Sequence, residues 1–324
     1  MPPDQPQPRS AGAEPLAVQV DGLVKRYGER AAVDHLDLTA RMGAVTAVLG
    51  PNGAGKTTTV EVCEGLRRAD AGTVRVLGLP ADNPELRFRV GVMLQDGGVY
   101  GTVNPREALN HAAALYRWPQ SPTALLETFG LDDVASTPSR RLSGGQRQRL
   151  GLALAIVGRP EVVFLDEPTS GLDPHSRRSV WDLITALRDA GVGVILTTHY
   201  LEEAEHLADH VVIVDQGRAI AAGPPAELVA GAQPTSRSAR SRLQFTAVPA
   251  LDVADLAERL PEGSGVRETS PGAYEVVTPG LADALTMVTA WFTARGVTPT
   301  SIHSERRTLE DVFLELTTTE DNHS

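Results

Sequence analysis

Residues Gly50–Thr57 read GPNGAGKT, preceded by the apolar run AVTAVL at 44–49 and followed from Thr57 onward by a segment that reads as a helix. A buried strand, a glycine-rich turn and a helix in that order make a cradle for phosphate. The glycines let successive backbone N–H groups turn inward, and the positive end of the following helix favours an anion. Gly50, Pro51, Asn52, Gly53, Ala54, Gly55, Lys56, Thr57 and Thr58 therefore form the expected binding set. Lys56 is expected to reach the β- and γ-phosphates of a nucleotide, and the Thr57 hydroxyl to ligate Mg²⁺.

Upstream, LAVQVDGLVKRY at 16–27 and AAVDHLDLTARMGAVTAVLG at 31–50 read as short strands, antiparallel in style until the last one enters the loop. Further strand candidates are Val74–Leu77, Val90–Leu94, Val162–Leu165, Val192–Thr197 and Val211–Val214, with helical patterns between them. That alternation predicts an α/β fold with a mainly parallel core sheet. The stretch 231–242, GAQPTSRSARSR, has no apolar periodicity and reads as a linker. Strands at Leu243–Ala247 and Tyr274–Thr278 and a helix at Ala282–Arg295 follow it. The expected organisation is a disordered leader at 1–15, a nucleotide-binding domain at 16–230, the linker at 231–242, and a small C-terminal α+β domain at 243–324.

Two more segments carry chemistry. EVVFLDEP at Glu161–Pro168 is an apolar strand ending in two acids, which a low-dielectric interior tolerates only with a partner such as a metal. Asp166 is read as the Mg²⁺-side carboxylate, and Glu167 as the group that orients or deprotonates an attacking water. LSGGQ at Leu142–Gln146 opens the helical run RQRLGLALAIVG, which makes a second helix end suited to an anion. Serine is a good N-cap at any helix. Capping alone leaves unexplained why a chain with one phosphate loop has a second such end.

With LSGGQ in place, residues from about 16 to 228 resemble the nucleotide-binding domain of ABC transporters. Further residues match in order: Tyr27 as the aromatic that stacks on adenine, Gln95 as the Q-loop glutamine, SGLDP at Ser170–Pro174 as the D-loop, and His199 as the switch histidine. The resemblance implies a P-loop NTPase fold of ABC type, with an antiparallel β subdomain and a helical signature subdomain beside the core sheet. It also implies a homodimer that closes head to tail over two ATP. In that dimer Ser143, Gly144, Gly145 and Gln146 act in trans, Asp173 lines the interface, and His199 contacts the γ-phosphate beside Glu167. Gln95 would touch Mg²⁺ and bear against a polytopic membrane permease, placing the chain at the cytoplasmic face of the cell membrane.

Composition agrees with these expectations. A net charge of −11 and a pI near 5.2 give no general attraction to phosphate backbones, so no nucleic-acid partner is expected. One cysteine, Cys63, allows no internal disulfide framework and reads as a packing residue. No apolar run approaches the ~20 residues of a membrane span, so membrane passage is assigned to another chain. His206 and His210 read as solvated helix residues, and the scattered arginine pairs as surface charge. The tail SERRTLEDVFLELTTTE at 304–320 resembles that of the daunorubicin-resistance-type drug exporters. That implies export of a drug-like or other hydrophobic compound. An ATPase acting on a ribosome or nucleic-acid complex, an importer, and a lipid or polysaccharide exporter stay open as alternatives. The paired cassettes or long coiled coils of the ribosome- and chromosome-acting kinds are, however, missing from the pattern.

Overall fold

Strands β1 (Leu16–Tyr27) and β2 (Arg30–Arg41) alternate buried apolar and exposed residues, the pattern of an antiparallel pair with one face covered. Strand β3 (Val45–Leu49) is buried at every position and runs into the glycine loop and helix α1 (Lys56–Cys63). The computed structural model describes residues 15–93, 101–231, 241–305 and 308–318. The chain divides into two compact units, Met1–Pro225 and Ala226–Ser324.

In the first unit β4 (Ala71–Val76) and β5 (Leu79–Pro80) complete an antiparallel sheet of order β2-β1-β4-β5. The sequence places Val74–Leu77 among the strands of the parallel core, and the structure corrects this. Thr73 and Arg75 alternate with Val74 and Val76, so the strand can cover one side only, and it pairs with β1. The core sheet has the order β10-β9-β3-β8-β7-β6. Its members are β6 (Val90–Met93), β7 (Val162–Asp166), β8 (Gly193–Thr198), β9 (His210–Asp215) and β10 (Arg218–Gly223). All its pairings are parallel except β9 with β10. Those two are joined through Gln216 and Gly217, both at positive φ (46° and 83°), as a two-residue primed turn requires.

Between β6 and β7 lie α2 (Pro105–Ala113), α3 (Pro122–Thr128) and α4 (Gly144–Ile156), the helical part of this unit. Helix α2 starts with a capping box, Asn104 with Glu107, behind Pro105. Helices α5 (Pro174–Asp189) and α6 (Leu201–Leu207) follow β7 and β8, and α7 (Pro225–Gly231) begins at the division between units.

The second unit is β11 (Ser241–Thr246), α8 (Ala254–Arg259), β12 (Gly265–Ser270), β13 (Ala273–Thr278), α9 (Leu281–Arg295), β14 (Ser301–Glu305) and α10 (Leu309–Thr318). Its antiparallel sheet has the order β12-β13-β11-β14, so β11 to β14 with α8 and α9 trace the βαββαβ path of a split βαβ unit. Leu243, Phe245, Tyr274 and Val276 meet Leu256, Val288, Trp291 and Phe292 in a separate core. Phe245 stacks on Tyr274 at 4.9 Å and meets the edge of Phe292 at 4.9 Å. Strand β11 begins two residues inside the stretch expected to be a linker. Arg242 pairs with Val277 and Glu305, and the out-in alternation of Arg242, Leu243, Gln244 and Phe245 suits a strand covered on one face. Positions 1–14 of the leader expected at 1–15, Gln95 and linker positions 232–240 lie outside the described residues. Among the described residues no helix is long and apolar enough to cross a membrane.

Candidate functional site

The glycine loop is shaped by close backbone approach. A Cβ on Gly50 would stand 2.1 Å from the Val214 carbonyl oxygen, and Gly55, at φ +104°, faces the Ala32 carbonyl so closely that a Cβ would fall 2.4 Å from it. Only glycine fits either position. At the end of the loop Lys56 is buried, and its ammonium donates to the Gly50 and Pro51 carbonyls at 2.8 and 3.1 Å. Burial lowers the lysine's proton affinity, and the charges of Glu167 and Asp166 oppose the shift.

Beside Lys56, β7 delivers its terminal acids. Asp166 is buried, accepts from the Thr57 hydroxyl at 3.3 Å, and is bonded by the Thr197 hydroxyl from β8. Burial pushes the Asp166 carboxyl above the usual carboxylate range, and Glu167 adds to this. The Thr197 and Thr57 hydrogen bonds and Lys56 pull the other way. A hydroxyl and a buried carboxylate in contact are the hard oxygen donors that Mg²⁺ takes from a protein while keeping waters and phosphate oxygens, so these residues fit that ion.

Glu167 lies in the left-handed region, φ +47°, which costs an L-residue of order 1–3 kcal/mol and persists only where neighbours impose it. Its N–H donates to the Thr197 hydroxyl at 3.0 Å and carbonyl at 3.2 Å. Its carboxylate lies 3.1 Å from His199 Nδ1. Lys56, Thr57, Asp166, Glu167 and His199, far apart in sequence, are thus brought to one rim of the parallel sheet, at the C-terminal ends of β3, β7 and β8. Ligands of open α/β sheets bind at that end.

The signature residues form a second cluster. Ser143 caps α4 reciprocally with Gln146, at 3.2 Å from Gln146 N to Ser143 Oγ and 2.8 Å from Ser143 N to Gln146 Oε1. The cap serves the third amide and leaves the amides of the half-buried Gly144 and the buried Gly145, which no helix satisfies internally. Gly145 packs on α5: a Cβ there would lie 3.0 Å from Ser176 Oγ. Ser176 in turn donates to Asp173 at 2.6 Å, and Asp173 caps α5 by accepting from His175 and Ser176 N–H at 3.0 and 3.1 Å. The Ser176 hydroxyl holds the Asp173 carboxyl below its ordinary value. Signature and D-loop are therefore one packed block.

Tyr27 ends β1 with 44% of its surface exposed, and Lys25 Nζ and the Arg67 guanidinium lie 5.8 and 5.4 Å from its ring centre. Three residues were missed by sequence reasoning: Thr197, which bonds both acids; Arg67, anchored on Glu61; and Glu203, fully buried in α6. The signal available for Thr197 is a polar residue inside a strand buried at every position. His206 lies exposed on α6, as expected of a solvated helix residue, and stacks on Trp181 at 4.6 Å, whereas His210, expected on the same helix, opens β9.

A family model described as ABC transporter matches residues 33–170. Over 308 residues the chain is 39% identical to a daunorubicin resistance ATP-binding protein of Streptomyces coeruleorubidus, covering 93% of this chain and 96% of that one. It is 40% identical over 233 residues to the Nod factor export ATP-binding protein I of Ralstonia nicotianae, covering 70% of this chain and 72% of that one. A solved ATP-binding subunit of an ABC transporter superposes with a TM-score of 0.61 at 27% identity, over 68% of this chain and 95% of that one. A phosphate loop, two acids closing a parallel strand and a signature helix define an ATP-binding cassette. The chain belongs to the ABC transporter family. Within it, the chain is an ATP-binding subunit of the kind that hydrolyses ATP to power transport.

Proposed function

We propose that this subunit powers export of a hydrophobic, drug-like compound through a separate polytopic membrane permease, working as a homodimer closed around two ATP at the cytoplasmic face of the membrane. The observation that carries the reading is the division of the site into two complementary halves. One half is charged and buried, built on Lys56, Asp166 and Glu167. The other is the start of α4, where the capping residue Ser143 is exposed, the glycine amides carry no charge, and Arg147 is tied to the Leu142 carbonyl at 2.7 Å. A phosphate chain held by the first half needs donors on its open side, and a second copy's signature block has them. Support for export comes from the relatives, named for daunorubicin resistance and Nod factor export, the former aligned along nearly the whole chain.

In this reading the amides of 50–58 and the Lys56 ammonium bind the β- and γ-phosphates, Tyr27 stacks on adenine, and Ser143, Gly144, Gly145 and Gln146 of the second copy close over the γ-phosphate. The Thr57 hydroxyl and Asp166, with Gln95, would hold Mg²⁺, which neutralises charge on the phosphate oxygens. Glu167 orients and deprotonates water, and His199 holds the Glu167 carboxylate and contacts the γ-phosphate. Asp173 links the two sites through the interface. The permease docks beside β6, where Glu64, Leu86, Arg87, Val90, Tyr116 and Leu154 line a cavity of about 320 Å³. Exposed Phe88, Leu115 and Trp118 offer further apolar surface in this unit. The C-terminal unit serves regulation or dimer stability.

The test is co-purification of the Glu167→Gln variant from detergent-solubilised membranes in ATP. A multi-spanning membrane protein and an ATP-dependent dimer are expected. A monomer in ATP refutes the closed dimer, and recovery of ribosomes or DNA in place of a membrane protein refutes transport.

A further inference from the structure

We infer that Glu203 is a positioning residue for ATP hydrolysis: its buried carboxyl joins the turn after Glu167 to the helices that follow His199 and Asp173, and so sets the spacing of Glu167 and His199. This rests on the proposed assignment of those two side chains to the γ-phosphate.

Glu203 has no exposed surface. One carboxyl oxygen accepts from the Thr169 hydroxyl at 2.8 Å and from the Trp181 indole N–H at 3.2 Å. The other has no hydrogen-bond partner among the described residues, and neither does the buried Nε of Arg177. Taking a carboxyl out of water with half its capacity unmet disfavours folding, and an apolar side chain of similar volume would avoid the cost. What such a side chain would not do is hold Thr169.

Thr169 stands two residues after Glu167, and Glu203 four residues after His199, on the first turn of α6. The Thr169–Glu203 bond therefore runs alongside the Glu167–His199 contact and closes a small ring with it. Glu167 needs such bracing because its backbone sits at φ +47°. Thr197 fixes it from the N-terminal side through the Glu167 N–H, and Glu203 fixes it from the C-terminal side through Thr169. Trp181 extends the brace to α5, whose N-cap is Asp173. Tyr200, between His199 and α6, is covered by the Arg177 guanidinium at 4.8 Å, so α5 also holds the histidine's neighbour.

The group does not need its charge for this. Burial raises the Glu203 carboxyl's proton affinity, and the neighbouring Thr198 hydroxyl, the bonds from Thr169 and Trp181 and the charge of Arg177 oppose it. Glutamine reproduces the same acceptor oxygen at the same reach.

The test is steady-state ATPase kinetics on the full-length chain for Glu203→Ala, Glu203→Gln and Thr169→Val, with Glu167→Gln as reference. Misplacing a catalytic group by about 1 Å costs up to ~100-fold. Glu203→Ala is therefore expected to lower kcat about ten- to a hundredfold with the KM for ATP held within about threefold, because the phosphate loop is untouched. Glu203→Gln is expected to restore most of kcat, and the near-isosteric Thr169→Val to lower it in the same sense by a smaller factor. Wild-type kcat in both Glu203→Ala and Thr169→Val overturns the inference, as does a Glu203→Gln variant as impaired as alanine. If Glu203→Ala does not fold, Thr169→Val decides alone. Turnover at the wild-type rate in Glu167→Gln instead removes the underlying assignment of Glu167.

Discussion

In the proposed reading the phosphate-side cluster and the signature block both present helix N-termini to an anion, yet they are built in opposite ways. Lys56, Asp166 and Glu167 are charged, packed against one another, and include a side chain on a strained backbone. Ser143, Gly144 and Gly145 carry no charge themselves, run from the exposed Ser143 to the buried Gly145, and are held by local caps and by packing on α5. Chemistry needs groups poised against their ordinary preferences, whereas recognition of a second molecule's ligand needs only a rigid, neutral set of dipoles. The first arrangement is costly to build and sensitive to single atoms. The second is inexpensive and tolerant.

That contrast can be broken at several strengths. The largest effect is expected on the charged side: Glu167→Gln should cut ATP turnover at least about a hundredfold while equilibrium nucleotide binding stays near wild type. Lys56→Ala should next weaken ATP binding roughly thirtyfold, since a hydrogen bond to a charged group is worth about 2 kcal/mol, and titration of ATP into the purified chain reads it directly.

The crowding of acids near Asp166 gives a third prediction. Burial, with the charges of Asp166 and Glu61 adding to it, pushes the Glu64 carboxyl from its ordinary 4.5 up to about 8. The folded chain then holds this proton more tightly than the unfolded chain, so wild-type stability falls as pH rises from about 4.5 to about 8. Glu64→Gln should leave stability unchanged at pH 4 and raise it at pH 9 by on the order of 1–2 kcal/mol, measured by denaturant titration at the two pH values. Equal stability at pH 9 would show that the site is less crowded than its geometry indicates.

On the neutral side, Ser143→Ala should cost about 1 kcal/mol of unfolding free energy by removing an N-cap. It should leave ATP binding to the monomer intact while weakening ATP-driven dimerisation. A loss of monomer binding as large as that of Lys56→Ala would erase the distinction between the two clusters.

The fold class and family could be read from short motifs because each carries its own context. GPNGAGKT sits after a strand and before a helix, and LDEP closes a strand that can only be buried. What could not be read are partners supplied from distant sequence. Thr197 is 31 residues from Asp166, and nothing in VILTT says that its hydroxyl will bond one acid and accept from the amide of the next. Glu203 stands in the run of acids LEEAE, and only packing decides that it is the buried member while Glu202 faces out. Strand β4 is a different case: the alternation of Thr73 and Arg75 with Val74 and Val76 already marks it as covered on one side only, and what the sequence leaves open is which strand it pairs with. Ser143 was weighed as either cap or ligand group, and the structure shows it capping. Its cap bond occupies the side chain, so in the proposed reading any contact with a second copy's nucleotide falls to the glycine amides.

The two hydrogen bonds that Lys56 makes to the carbonyls of Gly50 and Pro51 also act as a selectivity threshold. An incoming ligand must draw the ammonium away from two good acceptors, and only a dense anion repays that exchange. A di- or triphosphate can do so, whereas a nucleoside or a monophosphate leaves the lysine bonded to its own loop. In the proposed reading the loop therefore discriminates by charge count before Tyr27 or a second copy takes any part. On that reading, this threshold turns away nucleosides and monophosphates, whereas telling a triphosphate from a diphosphate is left to the groups around the γ-phosphate.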